Sequence, residues 1–402
     1  MKKKLTRRQF LLAMLSAGAA GITFTKTGQV LGADGSKVFL PFISGPQGTP
    51  EPTPDPTPSP PPRPTPNPTL PPPGGSRVVR VHSNTVTDWI GSGNYWENVK
   101  QDKVDAMVSA GLCGLTGKAI EDEAWQALLP NYVAGEGIAI KANFNNTMDG
   151  NDPAFSNPIP HIFLPVLQGL VSRGVRQQDI WFYDVSRRIP SYFYDPIHVK
   201  YPNIKFYDLN HDAITYTQDA KVSIPAPGGG VVVQNIPDPA ARAKYLINVP
   251  IMRNHSSAGV TLGFKNHFGS IHHPWGFHEL GEISTIPSVL RDLYKSPWFG
   301  PKTILTLGDG IFGALGQQDS APQVWVNTFK DYPKSLFFAT DPVAIDCVMA
   351  DFLDAERVNL VGSTDYLVLA DQAGLGTFEH VDDPLANPGG YSQIDYQLIE
   401  QS

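Results

Sequence analysis

The chain has 402 residues, of which 41% are hydrophobic and 17% charged, and its formal net charge is −7. This composition is that of a globular protein, and the length suffices for one large domain or two lobes. The acidic balance argues against nucleic acid and anionic membrane surfaces as partners. Only two cysteines occur, Cys113 and Cys347, far apart and outside any C-x-x-C spacing. No iron–sulfur cluster is therefore expected, and the two cysteines form either one disulfide or two buried free thiols.

Residues 1–33 have the features of a twin-arginine signal peptide. Arg7 and Arg8 follow three lysines and precede a modest apolar stretch, Phe10–Phe24, that is short for a membrane-spanning helix. The alternative is an ordinary signal or anchor that happens to contain two arginines. Cleavage near Ala33 would remove six basic and no acidic residues and change the net charge from −7 to −13. We expect an exported, extracytoplasmic protein, secreted or associated with the cell surface, without a transmembrane helix in the mature chain.

A proline-rich linker is predicted over residues 34–76. Within it, residues 46–73 contain 15 prolines in 28 residues. Such a segment lacks the donors for helix or sheet and favours polyproline II. At about 3.1 Å per residue it would reach on the order of 85 Å. The two interpretations are a stalk that holds the domain away from a cell surface and a passive linker.

Residues 77–396 are predicted to form one α/β domain, because strand-like runs alternate there with helical patterns. Several runs are continuously apolar, which is typical of strands buried on both faces. The alternation indicates a mainly parallel sheet with helices on both faces. The predicted strands are Val78–Val81, Gly137–Ala142, Asp179–Val185, Ile204–Leu209, Gly230–Val233, Tyr245–Ile251, Thr303–Leu307, Leu336–Ala339 and Tyr366–Leu369. The predicted helices are Asn98–Leu112, His161–Ser172, Pro239–Lys244, Ile283–Tyr294 and Val343–Leu353.

The segment Tyr245–His278 holds five of the ten histidines, together with glycine, serine, asparagine and one lysine. It follows a strand-like run, and α/β proteins commonly build sites from polar side chains at strand ends. Imidazoles are common ligands of transition metals, although these spacings match neither H-E-x-x-H nor a zinc finger. One interpretation is a transition metal held by His255 and His267, with help from His272 and His273. The other is a hydrogen-bonded, partly exposed loop.

Four fragments of the chain carry a family resemblance. They are Ile138–Asn143, Asn248–Gly269 with its G-V-T and K-N motifs, Asp309–Ile311, and Thr340–Asp346 with its D-P-V-A-x-D motif. Together they resemble domain-of-unknown-function family 362 (DUF362). Many relatives carry a ferredoxin-like cysteine cluster, which this chain lacks, so iron–sulfur binding is not carried over. The stretch from His255 to Lys265 is also loosely similar to the lactate racemase family, which uses a nickel-pincer cofactor.

Eight polar residues are predicted to converge at one end of the sheet, because each follows or opens a strand or helix terminus. We assign catalytic roles to four of them and ligand binding to three others. Lys265 together with Lys141 would suit a small anionic ligand such as a carboxylate or phosphate; the alternative is that Lys265 pairs with a structural carboxylate such as Asp341. The catalytic candidates are His255, Lys265, Asp309 and Asp341, the ligand-binding candidates are Lys141, Asn143 and Asn266, and His267 completes the set as a metal ligand.

Two acidic residues and a glycine motif have structural explanations as well. Asp341 before Pro342 is typical of a helix N-cap. Asp346 lies roughly 140° further round the same helix, so the two carboxylates would not share a face. As a carboxylate in an apolar helix, Asp346 is expected to meet the Lys or His segment. Gly308–Gly313 matches G-x-G-x-x-G, but the residues after it do not form the long helix that dinucleotide binding requires.

Three functions follow from these patterns. The first is a metal- or anion-dependent enzyme that acts on a small anionic substrate, with histidine as ligand or general base and lysine as a charge clamp. The second is a non-catalytic extracytoplasmic binding module for a small anion or surface polymer. The third is a redox partner that lacks the iron–sulfur cluster of its relatives.

Overall fold

The computed structural model describes residues 30–31, 37–38, 76–147, 154–225, 230–255, 258–272, 274, 277, 286–315, 321–356, 364–385 and 390–402. Contacts divide the chain into two units, residues 1–60 and 61–402. In the first unit, strand β1 (Val30–Leu31) pairs antiparallel with β2 (Lys37–Val38). Apart from these four residues and Ser76, the predicted signal peptide and linker lie outside the described residues.

The second unit is built around one large sheet. Its strands are β3 (Ser76–Ser83), β4 (Ile138–Ala142), β5 (Ile180–Tyr183), β6 (Lys205–Tyr207), β9 (Tyr245–Val249), β12 (Thr303–Ala314), β13 (Ser335–Ala339) and β14 (Ile394–Gln401). They lie in the order β14-β3-β13-β12-β9-β4-β5-β6. Every neighbouring pair is parallel except the two that β13 makes with β12 and β3. The prediction of a mainly parallel sheet is confirmed.

Further strands extend and flank this sheet. Strand β10 (Ile251–His255) continues the chain just after β9 and pairs parallel with β12 and antiparallel with β11 (Gly259–Val260). A separate antiparallel pair is formed by β7 (Tyr216–Pro225) and β8 (Val231–Pro237). The run predicted as one strand over Tyr245–Ile251 is therefore divided between β9 and β10.

The helices bury two separate hydrophobic clusters against the sheet. They are α1 (Gln101–Thr116), α2 (Glu121–Leu128), α3 (Pro160–Ser172), α4 (Ser191–Lys200), α5 (Asp238–Arg242), α6 (Gly263–Asn266), α7 (Ile286–Lys295), α8 (Pro342–Ala355) and α9 (Asp365–Gln372). Successive residues of a strand point to opposite faces, so Leu336 and Phe338 join one cluster while Phe337 and Ala339 join the other. Buried residues of α1–α4 belong to the first cluster, and those of α5–α9 to the second. Helices thus cover both faces, as predicted.

The structure corrects one predicted element and places the glycine motif. Tyr366–Leu369 was predicted as a strand, which is wrong, because these residues lie in α9. A four-residue apolar run does not distinguish a strand from a short buried helix. The glycine motif Gly308–Gly313 lies inside β12 and not at a strand-to-helix turn. Its small residues serve packing, since a Cβ on Gly308 would come within 2.4 Å of the Met349 sulfur.

Two further sequence features are the cysteines and the expected lack of a membrane-spanning helix. Cys113 and Cys347 are both free thiols, and Cys347 is buried. Of the two arrangements open from the sequence, the structure therefore has the free thiols. In the part of the chain that the structure describes, no helix combines the length and apolarity needed to cross a membrane.

Candidate functional site

A cavity of about 320 Å³ lies beyond the carboxyl ends of β4 and β5. Its walls come from the residues that end or follow these two strands and from the chain between β10 and Pro274. This is where polar groups gather in open α/β sheets, because the loops after parallel strands meet at one edge. The described lining residues are Lys141, Asn143, Asn145, Asp184, Ser186, Arg187, His255, Thr261, Lys265, Asn266, Phe268, Gly269 and Pro274.

A buried ion pair lies at the base of this cavity. Lys141 donates from Nζ to Oδ2 of Asp184 at 2.8 Å, and both side chains are almost fully buried. The other oxygen of Asp184 accepts bonds from the main-chain N–H and the hydroxyl of Ser186, at 3.0 and 3.1 Å. Burial lowers the pKa of Lys141, and the carboxylate of Asp184 opposes that effect. A buried charge is tolerated only with such partners.

Asparagine side chains tie the short helix α6 to the sheet. Asn266 donates from Nδ2 to the main-chain oxygen of Lys141 at 3.0 Å and to Oδ1 of Asn248 at 2.8 Å. Asn248 in turn donates to the main-chain oxygen of Gly263 at 2.9 Å. These three bonds connect β4, β9 and both ends of α6. Because a single helical turn is not stable alone, they determine where the side chains of α6 lie.

Asp346 fixes the start of α6 from the opposite side. Its carboxylate accepts bonds from the N–H groups of Gly263 and Phe264, at 2.8 and 3.1 Å, and from the hydroxyl of Tyr366 at 3.0 Å. Burial raises the pKa of Asp346 to about 7, although these three donors favour the carboxylate. The expectation that Asp346 meets the segment containing Lys265 is confirmed, through the main chain of that segment.

Three cationic side chains, those of Lys141, Arg187 and Lys265, line the described part of the cavity. Asn145 holds the Arg187 guanidinium through its main-chain oxygen at 2.7 Å and its Oδ1 at 2.8 Å. Arg253 is fully buried behind the lining and donates to Oδ1 of Asn143 at 3.2 Å. Asp184, already bonded to Lys141, is the carboxylate among the described lining residues. The described lining therefore holds more basic than acidic side chains, which favours an anionic ligand.

Lys265 differs from Lys141 in its surroundings. Its Nζ lies 3.4 Å from the centroid of the Phe268 ring, and the residue is 5% exposed. Burial lowers the pKa of Lys265 well below its ordinary value, and the positive charges of Arg253 and Arg187 lower it further. Two lysines in one cavity thus have different environments: one is paired with a carboxylate, and the other lies beside an aromatic ring and two guanidinium groups.

His255 ends β10 and turns its ring into the cavity lining. The ring is 6% exposed, and its Nδ1 accepts the main-chain N–H of Ala258 at 3.2 Å. Because Nδ1 acts as the acceptor, the neutral ring carries its proton on Nε2. Nε2 is then the ring nitrogen that can donate a proton.

Five of the eight residues predicted to converge do so: Lys141, Asn143, His255, Lys265 and Asn266. For Asp309 the prediction is wrong, because β12 continues through this position to Ala314 instead of ending at Leu307. For Asp341 it is also wrong. This residue follows β13, and since β13 is antiparallel, its end lies away from the carboxyl ends of the parallel strands. Asp341 is the N-cap of α8, accepting the N–H groups of Val343 and Ala344 at 2.9 Å each, which confirms the structural explanation.

The residues present do not fit a metal held by His255 and His267. His267 is buried outside the lining, with its ring centroid 4.6 Å from that of Phe299, and burial lowers its pKa to about 3. His272 is exposed and packs edge-on against Tyr216, while His273 lies outside the described residues. Within the described ranges, no group of three or more His, Cys, Asp or Glu could hold a metal ion. Two described lining residues, His255 and Asp184, are of types that bind metals. They lie among basic side chains, whose positive charge would repel a metal ion.

Several lining residues were not predicted. Asp184 directly follows the buried strand β5, so the rule that selected Lys141 and Asn143 would also have found it. Arg187 and Asn145 lie in loops and carry no pattern that distinguishes them from surface residues. Arg253, which lies behind the lining, follows the apolar residues Ile251 and Met252, and its charge there was a signal that the sequence analysis did not use.

The comparison with known families agrees with this location of the site. The chain belongs to the family described as Domain of unknown function (DUF362), whose model matches residues 138–351. That match spans every lining residue named above, from Lys141 to Pro274. No curated protein gives a significant match to the chain.

Substitution of Gly269 by alanine will disturb the ion pair. A Cβ at this position would lie 2.6 Å from Oδ2 of Asp184 and 2.8 Å from Nζ of Lys141. We expect a loss of about 1–3 kcal/mol in the free energy of unfolding, as for other overpacked buried sites, measured by denaturant titration. Gly174→Ala is the control, since its Cβ would meet no atom within 4 Å and only its left-handed φ of 92° is strained. An unfolding free energy of Gly269→Ala equal to that of the wild type would contradict this prediction.

Asp346→Asn will destabilise the protein and displace Lys265. An amide has one acceptor oxygen, so its NH2 group would face one of the two main-chain N–H groups that the carboxylate now accepts. Leaving a buried donor unsatisfied costs about 1–3 kcal/mol. Thermal and denaturant unfolding will show the loss, and Asp354→Asn at an exposed position of the same helix will leave stability unchanged. A fully stable Asp346→Asn protein would show that α6 does not depend on this carboxylate.

Proposed function

We propose that the protein is an enzyme that binds a small organic anion, bearing a carboxylate or phosphate group, in the cavity beyond β4 and β5. The observation that carries this proposal is the excess of buried cations over carboxylates in the described lining. The volume of about 320 Å³ is that of a small-molecule site. The chain is too acidic overall for the cations to reflect a generally basic surface.

Recognition of the anion centres on Arg187. Its planar guanidinium matches the geometry of a carboxylate or phosphate, and the two bonds that it donates to Asn145 set its orientation before the ligand arrives. Asn143, Ser186 and Thr261 add amide and hydroxyl groups to the same wall. These groups suit further oxygen atoms on the ligand, such as hydroxyl or carbonyl groups.

The same cavity holds groups that can take part in a reaction. His255 carries a proton on Nε2 in its neutral form and lines the wall, so it can act as a general acid or base. Lys265 supplies an amine whose pKa is well below that of an ordinary lysine. These two residues favour an enzyme over a binding module, which would need only the cations.

Titration calorimetry with inorganic phosphate and with a series of small carboxylates will test the anion site. Arg187→Met will weaken binding at least tenfold, about 1.4 kcal/mol, because the oriented guanidinium is lost. Arg188→Met is the matched control: it removes the same charge from the next residue, which is exposed. The proposal fails if no anion binds, or if both variants weaken binding to the same extent. Binding without any turnover of the carboxylates would instead support the non-catalytic module.

We also propose that the protein is exported through the twin-arginine pathway, is cleaved near Ala33, and carries residues 77–396 on a proline-rich stalk at the cell surface. The paired arginines, the modest apolar stretch after them, and the prolines of residues 46–73 support this proposal.

Replacement of Arg7 and Arg8 by lysine will block export, because the pathway reads the arginine pair. Cell fractionation in a bacterium that has the pathway will then find an uncleaved precursor in the cytoplasm. Lys2→Arg with Lys3→Arg keeps the charge and the arginine pair, so export and cleavage will continue. Unchanged export of the Arg7→Lys, Arg8→Lys protein would refute the twin-arginine assignment and favour an ordinary signal.

A further inference from the structure

We propose that Asn143 and Thr261 together bind a carbonyl oxygen of the ligand, so that the anion taken up by the cavity is a small oxo acid. This inference rests on the proposed function and deepens it, because it adds a second recognised group to the anion held at Arg187. Asn143 and Thr261 both line the cavity and are 2% and 4% exposed. The argument starts from the direction in which the Asn143 amide is held.

Two donors fix the amide of Asn143 from behind. Its Oδ1 accepts from Nη2 of the fully buried Arg253 and from the main-chain N–H of Asn145, at 3.2 Å each. A guanidinium group and a main-chain N–H can only donate, so the amide oxygen must face them. The NH2 group of Asn143 then points away from Arg253. The bonds around this side chain therefore decide which of its two ends is oxygen and which is nitrogen.

The NH2 group of Asn143 leads to Thr261. Nδ2 donates one hydrogen to Oγ1 of Thr261 at 3.4 Å. An amide NH2 carries two hydrogens and a hydroxyl carries one, so one hydrogen of each group remains after this bond. Among the contacts of the described residues, neither of these two hydrogens has an acceptor. The wall therefore offers two neutral donors, an amide and a hydroxyl, side by side.

Two donors at this spacing match a single carbonyl oxygen. Bonds of about 2.8–3.0 Å from Nδ2 and from Oγ1 to one oxygen atom are compatible with a separation of 3.4 Å between the donors. A carbonyl oxygen has two lone pairs and no hydrogen, so it uses both donors. A ligand hydroxyl would also bring a hydrogen, whereas the acceptor of the Asn143 amide faces Arg253. The positive charge of Arg253 polarises the amide and strengthens its N–H donor.

Asn145 joins this donor pair to the anion site. Its main-chain N–H donates to Asn143, while its main-chain oxygen and Oδ1 accept from the guanidinium of Arg187, at 2.7 and 2.8 Å. One residue thus sets the amide of Asn143 relative to the guanidinium of Arg187. A ligand whose carboxylate lies close to its carbonyl group is recognised at both places, and groups held in this way before binding lose little freedom when the ligand arrives.

Calorimetry with matched pairs of anions will test the proposal on the full protein. Pyruvate and propionate, like acetoacetate and butyrate, have the same chain length and differ by one carbonyl oxygen. We expect the wild type to bind the oxo acid of at least one pair about tenfold more tightly than its partner. Thr261→Val keeps the shape of the side chain and will lower this preference about fivefold, the value of one hydrogen bond. Thr261→Ser keeps the hydroxyl and will retain it.

Asn143→Asp separates the donor from the structural role of this residue. A carboxylate still accepts the bonds of Arg253 and Asn145 but has no NH2 group. Its charge weakens the binding of both members of a pair, so the ratio of the two affinities is the measurement, and we expect that ratio to fall to about one. Arg253→Met tests Arg253 as the positioning residue, because an amide that is no longer held from behind will lose the same preference. Circular dichroism will confirm that each variant is folded.

Infrared spectroscopy gives an independent measurement of the carbonyl group. With an oxo acid labelled at its carbonyl carbon, the C=O stretching band of the bound ligand will lie below its position in solution, because two donors polarise the bond. The band will keep this shift in Thr261→Ser and lose part of it in Thr261→Val. A role of Thr261 in folding alone would leave the band of the bound ligand unchanged.

The outcomes separate this inference from the proposed function. Equal affinity of the wild type for both members of each pair overturns the carbonyl site and leaves the anion site intact. Absence of binding of every anion overturns both proposals. A preference that survives unchanged in Thr261→Val or in Asn143→Asp overturns the assignment of the donor pair. A preference and a band shift that are lost in Thr261→Val and kept in Thr261→Ser support it, and these two variants decide the question if Asn143→Asp fails to fold.

Discussion

The buried ion pair between Lys141 and Asp184 determines the chemistry of the cavity. Each residue follows or ends one of two neighbouring parallel strands, so the register of β4 and β5 sets the distance between them. The pair also engages the carboxylate of the described lining, in which basic side chains outnumber acidic ones. A wall of this composition favours an anionic ligand.

The second constraint is the anchoring of α6, a helix of four residues that carries Lys265 and Asn266. Asp346 accepts a bond from the first residue of this helix, and Asn248 accepts one from its last residue. The helix is therefore supported from α8 on one side and from β9 on the other. Two family motifs are thus in contact, because the D-P-V-A-x-D motif supplies the carboxylate that supports the helix carrying the K-N motif. A motif that caps its own helix at Asp341 also positions the segment that carries Lys265 through Asp346.

The sequence predicted most of the sheet and five residues of the site, and its failures have specific causes. Lys141, Asn143 and His255 were found because polar residues after buried strands meet at one edge. Asp341 was misplaced because nothing in the chain marks β13 as the one antiparallel strand of the eight-strand order. Asp309 was misplaced because the strand was predicted to end at Leu307, whereas β12 continues to Ala314. Arg187 lies in a loop without periodicity.

By itself, the sequence determined the α/β class, the alternation of strands and helices, the membership of the K-N segment in the site, and the lack of a cysteine cluster. These follow from local periodicity and residue type, which the chain displays directly. Tertiary structure alone decided that Lys141 bonds to Asp184, that His267 lies among aromatic rings, and that Asp346 supports a helix about eighty positions earlier in the chain. Such facts depend on strand order, strand direction and burial, which are properties of the assembled sheet and of no segment within it.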